Sequence, residues 1–225
     1  ANLNCNVRNG VRATHKPLLL LAFLDLIEET GPASANLVVE RTPELNFRFL
    51  NYWSAVGRPS KMPDIRLPFH ALGGDGVLEP LDKYGEVSDG RSSTVRVRLN
   101  STFVECARSE ETRHRMRRIL VSAYFTVREQ AALFSRLDMP VAELALGDVS
   151  AASAKRAAER GRDARFRGLV VGAYNFTCAL TGHRLVTWGA KAMVQAAHIV
   201  PVRKGGPNET WNGLALCHNA HWAFD

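Results

Sequence analysis

Residue types suited to phosphodiester hydrolysis lie in the segment Val194–Asp225, VQAAHIVPVRKGGPNETWNGLALCHNAHWAFD. His198 lies within an apolar stretch, Asn212 belongs to an Asn-Gly pair, and His221 stands four residues before the last residue, Asp225. Histidine titrates near neutrality and can take a proton from water. A histidine and a carboxylate at i and i+4 share one helical face, where they can ligate the cation that neutralises charge on a reacting phosphate. Taken singly, a core histidine or a turn asparagine is the commoner interpretation, but the ordered combination predicts a hydrolytic site.

The elements that carry these residues are short and are expected to converge. An extended apolar stretch, MVQAAHIVPV, carries His198 and leads into the turn RKGGPNET, which contains three helix breakers. The chain then returns through WNGLALCHNAHWAFD, which predicts a strand followed by a helix. A strand, a loop, a strand and a helix in this order can bring together two imidazoles, an amide and a carboxylate.

This segment closely resembles the HNH, or ββα-metal, endonucleases. The resemblance covers about residues 168–225 and is carried by four stretches: YNFTCALTG (Tyr174–Gly182), AAHIVP (Ala196–Pro201), NGLAL (Asn212–Leu216) and CHNAHWAFD (Cys217–Asp225). It implies that His198 is the general base and that Asn212 fixes the loop that aims it. It also implies that His221 takes part in catalysis as a metal ligand, with Asp225 and His198 as further candidate ligands of Mg²⁺ or Mn²⁺.

Two positions depart from the pattern of that family. Many members have an acidic or histidine metal ligand just before the base, where this chain has Ala197, so we expect weaker metal binding or recruitment of the ion together with the phosphate. Many members also carry C-x-x-C zinc pairs, whereas Cys178 and Cys217 stand singly, and no structural zinc is expected. Because the sequence stops at Asp225, we expect the metal-site helix to be C-terminally incomplete.

The positive charge of the chain is concentrated in its last third. Of the 225 residues, 46% are hydrophobic and 23% are charged, which is typical of a globular protein. Residues 1–150 contain 19 Lys/Arg and 18 Asp/Glu, whereas residues 151–225 contain 10 and 4. This excess favours a polyanionic partner, here double-stranded DNA, with Arg203 and Lys204 of the basic turn as candidate contacts.

No stretch of the sequence predicts a membrane span or a signal peptide. The longest apolar run, PLLLLAFL (Pro17–Leu24), is too short to cross a bilayer. The four cysteines are scattered and give no disulfide framework. We therefore expect a protein of the bacterial or archaeal cytoplasm that has no membrane partner.

The rest of the chain predicts an α+β protein in which a mixed helix/strand domain reads DNA and precedes a small ββα-metal nuclease domain. The main predicted elements are helices at His15–Gly31, Thr42–Gly57 and Glu111–Phe125, a strand at Ser93–Asn100, and a loop with a short strand at Asp64–Leu81. Residues 148–166 are rich in Ala, Ser and Arg and indicate a basic, partly helical linker. The predicted boundaries are 1–148 for the reader, 149–167 for the linker and 168–225 for the nuclease.

Two N-terminal stretches, RATHKPLLLLAFLDLIEE (Arg12–Glu29) and LPFHALGGDGVLEP (Leu67–Pro80), resemble the sulfur-binding domain of phosphorothioate-dependent restriction endonucleases. The resemblance covers about residues 5–150, and that family places an HNH nuclease after such a domain. Leu67 stands where the family often has tyrosine. The resemblance implies the following DNA-binding residues: His15 and Lys16 on a neighbouring phosphate, Pro68, Phe69 and Ala71 around the sulfur, and Arg91 on base edges.

The physical basis for such recognition is apolar contact. Sulfur is larger and more poorly hydrated than the oxygen it replaces, so a shallow apolar cup favours a phosphorothioate over a phosphate. The ring of Pro68, the backbone of Phe69 and the methyl group of Ala71 are the candidates for that cup, while cationic side chains hold the phosphate backbone.

Two other functions are compatible with the sequence. The N-terminal domain can instead read a modified base such as methylcytosine, which requires aromatic stacking, and Tyr52, Trp53 and Phe69 are the candidates for it. Alternatively, the protein is a non-catalytic DNA-binding protein with a degenerate HNH fold, for which Ala197 is the main argument. If it cleaves both strands of a duplex with one small site, a homodimer or sequential nicking is expected.

Overall fold

The computed structural model describes residues 3–8, 11–30, 37–57, 63–140, 150–187 and 192–224. The helices of this part are α1 (His15–Thr30), α2 (Pro43–Val56), α3 (Arg66–Ala71), α4 (Ser101–Arg108), α5 (Glu110–Tyr124), α6 (Val127–Arg136), α7 (Ala151–Ala173) and α8 (His218–Phe224). The strands are β1 (Val7–Arg8), β2 (Val11–Arg12), β3 (Val38–Glu40), β4 (Leu78–Leu81), β5 (Arg96–Leu99), β6 (Val194–His198) and β7 (Gly213–Cys217). The mixture of helices with small antiparallel sheets agrees with the predicted α+β class. None of the helices in the described ranges is long and apolar enough to span a membrane.

The chain forms two compact units. Unit 1 comprises Ala1–Leu45 and Ser60–Thr126, and unit 2 comprises Asn46–Pro59 and Val127–Asp225. This division differs from the predicted boundaries, because residues of α2 and α6 pack with the C-terminal part of the chain. The Phe47 ring meets the Phe176 ring edge-on at 5.2 Å between centroids, and Arg136 Nε donates to Asn51 Oδ1 at 2.8 Å.

Unit 1 is built around α1. Its side chains from Leu18 to Leu24 are all buried, because α1 contacts α3, α4 and α5. A three-stranded antiparallel sheet in the order β3-β5-β4 completes the unit. The predicted helices at the positions of α1 and α5 and the predicted strand at β5 are confirmed.

The prediction of a loop at the start of Asp64–Leu81 is wrong, since LPFHA lies in helix α3. The proline that indicated a turn, Pro68, lies in the first turn of the helix, where proline is tolerated. The amide of Phe69 donates to Ile65 O at 3.0 Å, and its fully buried ring packs against Phe23 at 6.3 Å between centroids. Burial of this ring therefore outweighs the local turn signal.

Helix α5 turns part of its positive charge inward. Arg117 Nη2 lies 2.8 Å from Asp25 Oδ1 and 2.6 Å from Glu28 Oε2, and Arg113 Nη2 lies 3.3 Å from Glu28 Oε1. These arginines are buried, so they hold α5 to α1 rather than offer charge to a polyanion.

Unit 2 packs the antiparallel hairpin β6-β7 with α7 and α8. Its core consists of buried side chains from all of these elements and from α2: Phe47, Phe166, Val170, Val171, Phe176, Cys178, Val194, Ala197, Ala215, Leu216 and Ala220. The stretch predicted to be a linker forms most of α7. A Cβ atom at Gly161 would lie 2.0 Å from Ala132 O, so the small residues of this stretch allow α7 to pack closely on α6.

Candidate functional site

The hairpin β6-β7 brings His198 and Asn212 to the same end. His198 is the last residue of β6 and pairs with Gly213, the first residue of β7, which directly follows Asn212. Helix α8, which carries His221, begins immediately after β7 and contacts both strands. The predicted succession of strand, loop, strand and helix is confirmed for these elements.

The side chain of Asn212 holds the loop between the two strands. Its Oδ1 accepts from Val200 N at 2.8 Å, and its Nδ2 donates to Val200 O at 3.0 Å and to Pro207 O at 2.9 Å. The backbone carbonyl of Asn212 also accepts from Ile199 N at 2.9 Å, and the residue is only 1% exposed. Both ends of the loop are thereby tied to one buried amide, which is the loop-fixing geometry that the sequence predicts.

The loop between β6 and β7 turns back so that Gly206 lies against the backbone of Val200. A Cβ atom at Gly206 would lie 1.7 Å from Val200 O, so only glycine fits this close approach. Gly205 has a φ of 85°, the left-handed conformation that glycine adopts at low cost. Arg203 and Lys204, predicted to bind DNA, are exposed in a short 3₁₀ helix of this loop.

The imidazole of His198 is held by two residues that sequence reasoning missed. The ring stacks on Phe166 of α7, with 3.8 Å between centroids and 7° between planes. Its Nε2 lies 2.7 Å from Asn208 Oδ1. The apolar pair at Phe166 and Val170, four residues apart, was a signal that α7 has a buried face. Asn208 carried no such signal, because an asparagine after a proline indicates a turn.

The metal-ligand candidates are only partly described. His221 is half-buried, and its Nδ1 lies 3.2 Å from Gln195 Oε1. Gln195 is exposed. The position directly before His198, where many members of the family have an acidic or histidine ligand, is Ala197, which is 1% exposed. Asp225 lies outside the described residues.

Within the described ranges, no group of three or more His, Cys, Asp and Glu side chains is placed to hold a metal ion. The imidazoles of His198 and His221 are nitrogen ligands that suit a divalent cation, but a stable site requires further ligands.

Two of the cysteines lie beside the hairpin. The amide of Cys217 donates to Cys178 Sγ at 3.3 Å. Burial raises the pKa of the Cys178 thiol, but hydrogen bonds from the Thr181 side chain and from the amides of Cys217, Thr181 and Leu180 lower it to about 6. Cys178 thus ties the turn that follows α7 to the end of β7.

A comparison of the sequence with known protein families bears on this geometry. Residues 178–225 match the family model described as HNH endonuclease. The chain therefore carries an HNH endonuclease domain at its C-terminal end, and this domain contains His198, Asn212 and His221. The match supports a nuclease that acts on DNA. No curated protein and no solved structure matches the chain.

In unit 1, Lys16 differs from its predicted role as a phosphate contact. Its Nζ lies 2.6 Å from Asp75 Oδ2 and donates to Asn4 O at 2.8 Å. The side chains of the ion pair are 16% and 4% exposed. Lys16 therefore fixes the N-terminal segment to the turn after α3. His15, the first residue of α1, is half-buried.

Of the three residues predicted to form the sulfur cup, only Ala71 is exposed. Pro68 and Phe69 are buried, and the amide of Phe69 is used inside α3. Ala71 is exposed, as is Leu67 one helical turn earlier, so these two side chains form the accessible apolar face of α3. The full burial of Tyr52 and Phe69 also removes two of the aromatic rings that could stack on an extruded base.

Arg91 is exposed in a turn that hydrogen bonds tie to α3. The carbonyl of Gly90 accepts from Thr94 N at 3.1 Å and from Thr94 Oγ1 at 2.9 Å. Thr94 Oγ1 also lies 2.8 Å from Nδ1 of His70, which belongs to α3. These bonds connect the turn that carries Arg91 with the helix that carries Ala71.

Two more arginines that sequence reasoning missed lie near this turn. Arg41 Nε donates to Thr94 O at 3.3 Å, and burial together with the charge of Arg66 lowers the pKa of Arg41. Hydrogen bonds from Arg66 and the charges of Arg66 and Arg91 lower the pKa of Asp64 despite partial burial. Arg41, Arg66 and Arg91, called the arginine cluster below, each interact electrostatically with Asp64.

Proposed function

We propose that this protein is a modification-dependent DNA endonuclease. In this proposal the HNH domain hydrolyses phosphodiester bonds, and the N-terminal part of the chain reads phosphorothioated DNA. The nuclease half rests on one observation above all. The match to HNH endonucleases covers a hairpin in which a histidine at the strand end faces a loop held by a buried asparagine.

His198 is proposed as the general base, because its imidazole is positioned by stacking and by a hydrogen bond at the loop end of the hairpin. Asn212 acts through the loop that it holds. His221 is proposed as a metal ligand, with Asp225 as a further ligand, while His198, whose ring is used as the base, is not proposed as one. A divalent ion, Mg²⁺ or Mn²⁺, would stabilise charge on the phosphate and the leaving oxygen. Arg203 and Lys204 are proposed to contact the DNA backbone.

Recognition by unit 1 is proposed to combine the exposed apolar face of α3, Leu67 and Ala71, with the arginine cluster. Cations of this kind hold phosphates and set the register of a protein on DNA, while apolar contact distinguishes sulfur from oxygen. Arg91, which the sequence assigned to base edges, is proposed here as a phosphate contact. The burial of Pro68 and Phe69 and the ion pair of Lys16 make these residues supports of the surface rather than contacts.

The nuclease half is tested by cleavage of matched duplexes that are plain, carry a phosphorothioate or carry methylcytosine, each with Mg²⁺, Mn²⁺ or a chelator. We expect metal-dependent cleavage of the phosphorothioate duplex. His198→Ala should lower the cleavage rate on the order of 10²–10⁴-fold and leave the Kd for DNA within a few-fold of wild type. Cleavage by His198→Ala at the wild-type rate would remove the nuclease assignment.

The reading half is tested by competition binding between duplexes that differ by one sulfur atom. Ala71→Asp should erase the preference for sulfur, because the carboxylate would repel the phosphorothioate and exclude it from apolar contact. Arg91→Ala should weaken binding of both duplexes and reduce the salt dependence of Kd. Arg115→Ala is the matched control, since Arg115 is an exposed cation on α5.

Preference for the methylcytosine duplex would instead support a reader of modified bases. Equal binding of all three duplexes without any cleavage would support the non-catalytic DNA-binding protein.

A further inference from the structure

The amide of Asn208 is placed to decide which nitrogen of His198 carries a proton. Asn208 Oδ1 lies 2.7 Å from His198 Nε2. A carboxamide oxygen can only accept a hydrogen bond, so Nε2 must be the protonated nitrogen of the neutral ring. The other nitrogen, Nδ1, then carries the lone pair and is the atom that can take a proton.

Phe166 supplies the complementary restraint on the same ring. Its phenyl group lies parallel to the imidazole, with 3.8 Å between centroids and 7° between planes. Stacking fixes the plane of the imidazole but does not distinguish its two nitrogens. The hydrogen bond to Asn208 makes that distinction. A ring flipped by 180° about its Cβ–Cγ bond would keep the same plane but would move Nε2 away from Asn208.

The backbone next to Asn208 is held in place by hydrogen bonds within the loop. Asn212 Nδ2 donates to Pro207 O at 2.9 Å, and Gly206 N donates to Pro201 O at 3.1 Å. The buried amide of Asn212 therefore anchors the backbone next to Asn208, and Asn208 in turn contacts the imidazole of His198. The sequence-predicted loop-fixing residue thus reaches the base through a second amide.

We propose that Asn208 is a positioning residue that holds His198 in the tautomer protonated at Nε2, so that Nδ1 serves as the base. This inference rests on the proposed nuclease function. A proton of the attacking water moves to Nδ1, and the water oxygen forms a bond to phosphorus. The bond between phosphorus and the leaving sugar oxygen breaks, and that oxygen takes a proton from solvent.

Two substitutions of Asn208 test this role: one removes the hydrogen-bond acceptor, and the other keeps it. Asn208→Ala removes the acceptor and should lower the single-turnover cleavage rate roughly 10- to 100-fold, as is typical when a residue that orients a reactive histidine is removed. Asn208→Asp keeps an oxygen that accepts from Nε2 and should stay within a few-fold of wild type. Glu209→Ala, at an exposed position of the same loop, is the control and should behave as wild type. The Kd for DNA should change little in all three variants.

A spectroscopic measurement tests the tautomer without any activity. In ¹⁵N-labelled protein, long-range proton–nitrogen correlations of the histidine rings should show His198 protonated at Nε2, with the signal assigned by its loss in His198→Gln. Asn208→Ala should give a mixture of tautomers, and Asn208→Asp should retain one.

The outcomes separate this inference from the proposed function. If no duplex is cleaved but the wild-type ring is protonated at Nε2 and loses that preference in Asn208→Ala, the nuclease proposal fails and the tautomer assignment stands. A wild-type ring protonated at Nδ1 would overturn the inference. So would an Asn208→Asp protein that folds as wild type but is as slow as Asn208→Ala, because the amide would then act as a donor.

Discussion

Replacement of Asn212 by aspartate, a side chain of nearly the same size, should strongly destabilise unit 2. The amide makes three hydrogen bonds at 2.8–3.0 Å to Val200 N, Val200 O and Pro207 O. Aspartate keeps the acceptor for Val200 N but loses both donors and brings a carboxylate against two carbonyl oxygens. These bonds are partly buried, and each polar group left unsatisfied there costs roughly 1–3 kcal/mol. We therefore expect a loss of about 3 kcal/mol or more in the free energy of unfolding at neutral pH.

The measurement is denaturant unfolding of the full chain followed by tryptophan fluorescence. The four tryptophans of the sequence fall within the residue ranges of unit 2, so this signal reports on the unit that contains the substitution. Repulsion should raise the pKa of the new carboxyl group. The folded state would then bind a proton more tightly than the unfolded state, and the deficit relative to wild type should shrink as the pH falls.

Asn219→Asp is the matched control, because Asn219 is exposed on α8. It changes the same chemical group by the same atoms and should alter the free energy of unfolding by less than about 0.5 kcal/mol. If Asn212→Asp costs less than about 1 kcal/mol, the three hydrogen bonds do not hold the loop and the argument from burial is refuted.

Two further predictions concern packing and buried charge. Gly161→Ala should lower the free energy of unfolding by about 1–3 kcal/mol through overpacking, because the new Cβ atom would lie 2.0 Å from a backbone oxygen. Gly172 has open space around it, so Gly172→Ala should be neutral or stabilise by up to about 1 kcal/mol. Equal effects of the two substitutions in thermal melts would contradict this prediction. Arg117→Met should cost roughly 1–3 kcal/mol, because the buried Arg117 loses its hydrogen bonds to the half-buried Asp25 and to Glu28. Burial raises the pKa of Glu28, but hydrogen bonds and charge from Arg117 and Arg113 lower it below its ordinary value of 4.5. The wild-type protein therefore loses this stabilisation as the pH falls below 4.5. Arg117→Met should show a smaller acid-induced loss of stability, measured by circular dichroism.

The sequence alone determined the elements and residue types of the nuclease site. His198, Asn212 and His221 lie within one short stretch, and the strand, turn, strand and helix that carry them form from local patterns. The role of Asn212 in holding the loop was also accessible, because its partners are only a few residues away in the chain. Such features follow from side-chain chemistry and short-range periodicity.

The tertiary structure decided the features that depend on distant residues. Phe166 stacks on His198 because the Ala-, Ser- and Arg-rich stretch, predicted as a linker, is a helix that packs closely on α6 and also contacts β6 and β7. Small residues look like a linker in the sequence, since they contribute little apolar area, yet they permit two backbones to approach. The resemblance implied a DNA contact for Lys16, but this side chain forms an ion pair with Asp75, 59 residues later. The chemistry of a side chain is local, whereas its availability depends on which distant group folding places beside it. The sequence could therefore predict candidate site residues but not the distant residue, Phe166, that contacts His198.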